Sequence, residues 1–284
     1  MTATRNRGVV RKIAKHKPIM FGGTFVHMHI GPRNRKFSAH EEVLCSRSAY
    51  FKERFQKVRK DICGKCAVCL DKLEPVAIET VFCRTCGQNF HAKCMDQWLK
   101  NGNTCPTCRT VWKKWPNMHS STFDQLDPEG FEVYVQWLYS QQIPSYDADI
   151  DANARCIRML KAHLLGNTVR DQDFLLAVRN EIIETAVEAG LGYNAIDYAY
   201  KTTRKPCSLR RFLVDLYALT GDAQSLKEGN VSHLFLIDLA QSFMEKSKNF
   251  AEGKDVWSML VAEGHIKGDL RVPEDGGKVE DEEN

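Results

Sequence analysis

The chain is 284 residues long and 43% hydrophobic, which is enough to build buried cores in one large domain or two ordinary ones with tails. Its longest apolar stretch, HLFLIDLA at 233–240, is far shorter than the roughly 18 residues needed to cross a bilayer, so no membrane segment is predicted. The net charge is +4, but nine basic residues and no acidic ones fall in the first forty positions. The body is therefore mildly acidic, and a nucleic-acid partner is not predicted.

Whether the cysteines are read as disulfides or as metal ligands depends on the compartment in which the protein resides. The N-terminal segment PIMFGGTFVHMHIG contains two histidines and lacks a small-residue cleavage site, so no secretory signal is predicted and the protein is expected in the cytoplasm, the nucleus or both. Clustered thiols in a reducing compartment indicate metal ligation rather than disulfides. Eight of the eleven cysteines lie between Cys63 and Cys108. The others, Cys45, Cys156 and Cys207, are predicted to be packed, unreactive thiols.

The first elements in chain order are a tail, two strands and two short helices. Residues 1–17 carry six basic side chains without apolar periodicity and are predicted to form a solvated basic tail. TFVHMHI at 24–30 alternates as a strand, GPRNRK supplies turn residues, and FSAH continues as a second strand. EEVLCSRSAYFKERF at 41–55 has apolar residues at helical offsets, with Ser46 and Ser48 able to cap a break between two short helices.

The second half of the chain is predicted to be nearly all helix. In DPEGFEVYVQWLYS, Asp127 is a suitable N-cap and Pro128 occupies the first helical position. RCIRMLKAHLLGN is expected to end at its Gly-Asn pair, DFLLAVRNEIIETAVEAG at Gly190, and SLRRFLVDLYALTG at Gly221. The C-terminal GGKVEDEEN predicts a solvated acidic tail.

Between these halves, the candidate zinc ligands form four pairs with two residues between the members of each. In order, the pairs are Cys66 and Cys69, Cys83 and Cys86, His91 and Cys94, and Cys105 and Cys108. This spacing lets a tight turn aim two side chains at one ion, and a closed tetrahedral zinc site needs two such pairs. Eight ligands therefore predict two structural zinc ions. Spacing alone leaves both sequential and interleaved combinations of the pairs open.

The segments CAVCLDKLE, CGQNFHAKCMDQW and CPTCR resemble the RING family of ubiquitin ligases. That resemblance implies that the first and third pairs share one zinc ion, while the second and fourth pairs share the other. Where the common RING pattern has Cys-Gly-His, this chain has Gln88, which is a poor zinc ligand. We interpret Cys83, which precedes Cys86 by three positions, as the residue that replaces the absent histidine.

Two alternatives to this ligand assignment exist. The resulting order of four cysteines, one histidine and three cysteines also occurs in PHD fingers, which usually carry a Trp just before the last cysteine pair. Here those positions are Asn103 and Thr104, whereas Trp98 follows the third pair as in RINGs. Cys63 also repeats the spacing upstream of the first pair, but Val68 fits the apolar position that RINGs have before their second ligand. Cys63 is therefore interpreted as a spare thiol.

The RING resemblance implies an activity without a catalytic residue, because a RING has no nucleophile and closed zinc sites leave no position for a water. It implies binding of a ubiquitin-conjugating enzyme charged with ubiquitin, whose thioester is restrained for attack by a lysine of a protein substrate. The residues that match the family's positions for contacting the conjugating enzyme are Val68, Trp98, Pro106 and Arg109. A planar guanidinium at the last of these positions can donate to both the conjugating enzyme and ubiquitin.

The segments on either side of residues 59–116 resemble a BTB/POZ domain. The matching features are the strand hairpin, the HEEVLCSRSAYF helix pair, the LDPEGFEVYVQWLYS helix, and the LKAHLLGNTVRDQDFLLAVRNEII pair. The resemblance implies an α+β fold in which a discontinuous BTB/POZ domain, 18–58 and 117–188, carries an inserted two-zinc RING at 59–116. A mainly helical extension, 189–262, and an acidic tail, 263–284, would follow.

BTB domains mediate protein association, so the resemblance implies a homodimer or a complex with a cullin scaffold. An alternative of a different class is a non-catalytic adaptor or interaction protein, cullin-linked or transcriptional, whose zinc module is only structural. The four residues at contact positions favour a RING-type ubiquitin ligase over that adaptor.

Overall fold

The structure is a computed structural model that describes residues 21–113, 116, 118–144, 151–205, 207–221, 226, 231–246, 260–262 and 264–265. The predicted basic tail and nearly all of the predicted acidic tail lie outside these residues. Each helix in the described ranges is too short or too polar to cross a membrane.

The chain divides into two compact units that alternate along the sequence. Within the described residues, the first unit comprises 21–26, Ala39–Ser46 and Lys52–His119, and the second comprises His27–Ser38, Arg47–Phe51 and the residues from Ser120 onward. The cysteine cluster therefore shares a unit with residues of the helices that precede it in the chain.

Three strands form one sheet with the order β2-β1-β5. Their bounds are Phe25–Ile30 for β1, Arg35–His40 for β2 and Met118–Phe123 for β5. The alternation seen in the sequence places Val26, Met28 and Ile30 in the core, all fully buried. In the turn after β1, the N–H of Asn34 donates to the carbonyl of Gly31 at 3.0 Å.

Two short helices follow β2, as the sequence predicted. They are α1, Glu41–Arg47, and α2, Ala49–Phe55. Ser48 separates them, because its hydroxyl oxygen accepts the N–H of Phe51 at 3.1 Å and so caps α2. The same hydroxyl donates to the carbonyl of Val169 at 2.6 Å.

The cysteine-rich segment contains little regular structure. Strands β3, Thr80–Phe82, and β4, Asn89–His91, form an antiparallel pair, and helix α3, Ala92–Trp98, follows directly. Its small core is formed by Leu73, Phe90 and Met95 together with buried cysteines. A segment with so few core side chains gains its stability from metal ligation.

Further helices follow, and three of them begin or end at residues that the sequence had indicated. Their bounds are Pro128–Ser140 for α4, Ala152–Val169 for α5, Gln172–Ala189 for α6, Tyr193–Thr202 for α7, Ser208–Thr220 for α8 and His233–Lys246 for α9. Asp127 caps α4 by accepting the N–H groups of Glu129 and Gly130 at 3.0 and 2.8 Å. Gly190 ends α6 and Gly221 ends α8.

One predicted helix end is wrong. Helix α5 does not stop at Gly166 and Asn167 but continues to Val169 and ends at Arg170, which has a φ of 58°. The glycine serves packing instead, since a Cβ there would lie 2.8 Å from the side chain of Leu175 on α6. A glycine inside a helix can thus mark a close approach between helices rather than a stop.

Ordered structure reaches into the predicted acidic tail. His265 is buried, and its Nε2 lies 2.5 Å from Oδ2 of Asp215 on α8. The carbonyl of His265 also accepts from Arg179 on α6 at 3.1 Å. Packed structure therefore extends at least to residue 265.

Candidate metal centres

The structure brings the eight predicted ligands into two groups of four. In each group, one ligand atom from every residue lies within 4.8 Å of the others. The groups are Cys66, Cys69, His91 and Cys94, and Cys83, Cys86, Cys105 and Cys108. The fold thus combines the first pair with the third and the second with the fourth, the interleaved arrangement that spacing alone had left open. The exposed Cys63 belongs to neither group.

Three of the four pairs lie on the same kind of turn. In each turn the first cysteine donates its N–H to the carbonyl five residues later, and its own carbonyl accepts the N–H four residues later, at 2.8 to 3.0 Å. The residue four positions after the cysteine has a positive φ in every case. These residues are Leu70 at 65°, Gly87 at 74° and Arg109 at 59°. The left-handed residue closes the turn around the metal site.

The repeated turn shows where Gln88 lies. In all three turns, the residue before the first cysteine pairs with the residue six positions after that cysteine; the pairs are Lys65 with Lys72, Phe82 with Asn89 and Thr104 with Val111. Cys83 therefore occupies the same register as the first cysteines of the other two turns. Gln88 follows the left-handed glycine, and its carbonyl accepts the N–H of Cys83 at 3.0 Å.

The third pair is supplied by β4 and α3. His91, at the end of β4, is buried, and its Nε2–H donates to the carbonyl of Lys72 at 3.1 Å. Because a carbonyl only accepts, Nε2 carries the proton and Nδ1 is free to bind a metal. Nδ1 lies 3.3 Å from the Sγ of Cys69 and 3.8 Å from that of Cys94.

The donor atoms fit zinc. Tetrahedral zinc with Zn–S bonds of about 2.3 Å places two sulfur atoms about 3.8 Å apart. The Sγ atoms of Cys83 and Cys108 are 3.8 Å apart, and those of Cys86 and Cys105 are 3.9 Å apart. Three thiolates with one imidazole, and four thiolates, are both donor sets of structural zinc. With four protein ligands each, the two sites would be closed to water.

The protein itself favours the thiolate form of some of these cysteines, which metal binding requires. The hydroxyl of Thr110 lies 2.9 Å from the Sγ of Cys108, and together with the backbone N–H of Thr110 it lowers the pKa of Cys108 to about 6. Burial raises the pKa of Cys66, but hydrogen bonds from the backbone N–H groups of Cys69 and His91 outweigh it and bring the pKa to about 7. Thr110 was not recognised in the sequence, and its only signal was its position two residues after the last ligand.

Two of the three cysteines outside the cluster, Cys45 and Cys156, are buried thiols. Burial raises the pKa of both thiols, in the case of Cys156 to about 12. Both therefore stay protonated near neutral pH. Cys207 is half-buried and precedes helix α8.

The four residues predicted to contact a conjugating enzyme lie in the first unit. Trp98 at the end of α3 is 43% exposed, and its indole N–H donates to the carbonyl of Thr104 at 2.9 Å. This bond ties the helix end to the loop that carries Pro106. Val68 is half-buried against the small core of the cysteine-rich segment, and Arg109 is exposed at the end of the last turn.

Comparison with known proteins identifies this segment. Residues 64–109 match the family described as the Ring finger domain. The E3 ubiquitin-protein ligase SIS3 of Arabidopsis thaliana is 35% identical over 80 residues, which cover 28% of this chain and 21% of that protein. The E3 ubiquitin-protein ligase EL5 of Oryza sativa subsp. japonica is 51% identical over 45 residues, or 16% of this chain and 14% of that protein. The RING-H2 finger protein ATL30 of Arabidopsis thaliana is 43% identical over 53 residues, 18% of each chain.

These similarities confirm the RING resemblance for the zinc segment and give the two ligand groups their role as structural zinc sites. The chain spans about a fifth or less of the length of these relatives. None of the matches identifies a BTB/POZ domain, so that part of the prediction stays a prediction. No solved structure matches the chain.

Proposed function

We propose that the protein is a RING-type ubiquitin ligase, which binds a ubiquitin-conjugating enzyme charged with ubiquitin and promotes transfer of the ubiquitin to a lysine of a protein substrate. The observation that carries the proposal is the interleaved pair of closed four-ligand groups inside the segment that matches the Ring finger domain. Relatives named as E3 ubiquitin-protein ligases over the same kind of segment support it.

In this proposal the chain acts by positioning the charged conjugating enzyme for ubiquitin transfer. When bound, zinc would hold the loops of the segment in place and would offer no open coordination position. Val68, Trp98 and Pro106 would form an apolar docking face for the conjugating enzyme, with the Trp98 ring fixed by its bond to Thr104. The exposed guanidinium of Arg109 would donate to the conjugating enzyme and to ubiquitin, which restrains the thioester.

We further propose that residues 59–116 are inserted into a discontinuous BTB/POZ domain formed by 18–58 and 117–188, with 189–262 as a helical extension. The order of β1, β2, α1, α2, α4 and the α5–α6 pair supports this proposal, since it is the order that the resemblance implies. Through the BTB part the protein would associate with a second copy or with a cullin.

The test is an assay of ubiquitin discharge from a panel of charged conjugating enzymes to free lysine, with the zinc-loaded full chain. The wild type should accelerate discharge from at least one enzyme, and Val68→Arg should abolish the acceleration because a charge enters the apolar docking face. Lys100→Ala, which removes an exposed cation just after α3, is the control and should behave as the wild type. If the wild type is inactive with every enzyme, the adaptor hypothesis replaces the ligase.

A further inference from the structure

Residues 82–89, which carry the ligands Cys83 and Cys86, form the second zinc hairpin. This hairpin packs directly on residues that precede the segment matching the Ring finger domain. The N–H of Lys60 donates to the carbonyl of Gly87 at 3.0 Å. A Cβ on Gly87 would lie only 1.7 Å from the carbonyl oxygen of Val58, so no side chain fits between the two backbones. We call residues 41–46 and 52–60 the flanking segment; they lie outside the match to the Ring finger domain at 64–109 and share the first compact unit with it.

Arg84 anchors the hairpin to the flanking segment from a position between two zinc ligands. One arm of its guanidinium donates to the carbonyl of Phe55 at 2.6 Å, and the other lies 3.3 Å from Oε1 of Glu41. Glu41 is only 2% exposed, and its carboxylate also accepts from Gln56 at 3.0 Å. His119 lies 2.9 Å from its second oxygen.

Arg59 makes the reciprocal contact, from the flanking segment into the hairpin. It is 7% exposed and forms an ion pair with Glu42. Its remaining donors reach the RING, with Nε donating to Oδ1 of Asn89 at 2.8 Å and Nη2 to the hydroxyl of Thr80 at 3.1 Å. Asn89 returns a bond to the flanking segment through its amide, which donates to the carbonyl of Lys60 at 2.9 Å.

The two arginines share one aromatic ring. The guanidinium carbons of Arg59 and Arg84 lie 4.7 and 4.1 Å from the ring centre of Phe82, the residue just before the ligand Cys83. Two arginines face two glutamates, so the four charges of these side chains balance. Removing one partner would leave a buried charge without its counter-ion, which costs far more than an exposed ion pair contributes.

We infer that Glu41, Glu42 and Arg59 are positioning residues of the second zinc site, although all three lie outside the segment that matches the Ring finger domain. They act through Arg84, Phe82 and Asn89 of the hairpin that carries Cys83 and Cys86. The unit that retains the second zinc ion is therefore the RING together with the flanking segment. This inference does not depend on ligase activity, so its test and the discharge assay can fail separately.

The test follows each zinc site separately in the zinc-loaded full chain. A chelator removes zinc while N-ethylmaleimide alkylates each freed thiol, and peptide mass spectrometry reports the rate at every cysteine. In Glu41→Gln, alkylation of Cys83, Cys86, Cys105 and Cys108 should be at least about tenfold faster than in the wild type, as a lost charge-assisted hydrogen bond predicts. The rates at Cys66, Cys69 and Cys94 should not change.

The matched control is Lys72→Gln, which breaks the exposed pair between Lys72 and Glu74 in the first zinc turn and should alter neither site. Equal acceleration at both sites would mean general unfolding and would overturn the inference, as would no acceleration at either. Thr80→Val removes only one hydroxyl acceptor of Arg59 and is expected to fold if Glu41→Gln does not. It should show the same site selectivity at smaller amplitude.

A double-variant cycle tests whether the carboxylate acts through the arginine. If Glu41 positions the site through Arg84, the variant that combines Glu41→Gln with Arg84→Gln should accelerate alkylation of the second site by much less than the product of the two single effects. Multiplicative effects would show that the two residues act independently, and the inferred path through Arg84 would then be wrong.

Discussion

His91 and Lys72 are joined by a hydrogen bond in which the histidine Nε2–H donates to the lysine backbone carbonyl at 3.1 Å. The bond fixes the tautomer and directs Nδ1 toward Cys69 and Cys94. Because Lys72 follows the first pair by three residues, the turn that supplies two ligands also orients the third. The acceptor is backbone, so a side-chain substitution at Lys72 leaves this orientation intact.

The first prediction concerns the glutamine in the usual position of a RING ligand. Gln88→Ala should retain two zinc ions per chain, because Cys83 occupies the register of a first ligand and Gln88 contributes its backbone carbonyl to the turn. Cys83→Ala should lose one ion, since three thiolates do not close the second site. Native mass spectrometry of the full chain measures both. Cys63→Ser is the control and should retain two ions; a lost ion in Gln88→Ala would overturn the ligand assignment.

Spacing predicted the ligand list, because the two members of each pair are only three positions apart and their geometry depends on neighbouring residues. Likewise, Asp127 begins one helix and Gly190 ends another, and the local sequence was enough to predict both roles. The helix end predicted at Gly166 was wrong because the role of this glycine is set by Leu175 on another helix. Arg59 and Arg84 were missed for the same reason: their partners are distant in sequence and only the folded chain brings them together.

The second prediction is that substituting Arg109 by glycine separates the contribution of its side chain to ubiquitin discharge from the strain of its backbone. Its φ of 59° is one that glycine adopts freely and other residues at a cost of about 1 kcal/mol. Arg109→Gly should therefore keep both zinc ions and be at least as stable as the wild type. It should nevertheless reduce ubiquitin discharge about tenfold or more, because the guanidinium donors are lost.

Zinc content, urea unfolding and the discharge assay should be measured on the same preparation of Arg109→Gly. Leu70→Gly is a matched control, since it relieves the same left-handed conformation, φ 65°, in the first turn without removing a charge. Full discharge by Arg109→Gly would remove this residue from the proposed docking surface.

The third prediction is that the stability of the fold depends on pH through His163. His163 on α5 is fully buried, and its Nε2 accepts from Nε of Arg179 at 3.1 Å. Burial, and secondarily the Arg179 cation, lower the pKa of His163 to about 3. Between that value and the unfolded pKa near 6.5, the unfolded chain binds the extra proton. Stability is therefore full above about pH 6.5 and is lost as the pH falls toward 3.

Urea unfolding at pH 7 and pH 5 would test this dependence on His163. Between pH 7 and pH 5 the wild type should lose about 2 kcal/mol through this residue. His163→Gln keeps an acceptor for Arg179 but does not titrate, so its loss over the same interval should be smaller by about that amount. Loss of zinc from the RING at acid pH affects both proteins equally. Identical pH dependence in the two would show that His163 does not contribute.

The last prediction concerns the contact between α4 and α5. Gly130 faces the backbone of α5, and a Cβ there would lie 2.8 Å from the carbonyl oxygen of Lys161 and 3.2 Å from the nitrogen of Ala162. Backbone atoms within a helix cannot shift as a flexible side chain would. Gly130→Ala should therefore destabilise the protein by about 1–3 kcal/mol, although alanine gains about 1 kcal/mol in helix propensity. Gly102→Ala, where a Cβ meets nothing within 4 Å, should be nearly neutral in the same urea titration. If Gly130→Ala were equally neutral, the two helices could separate at no cost, and close packing at this glycine would not stabilise the fold.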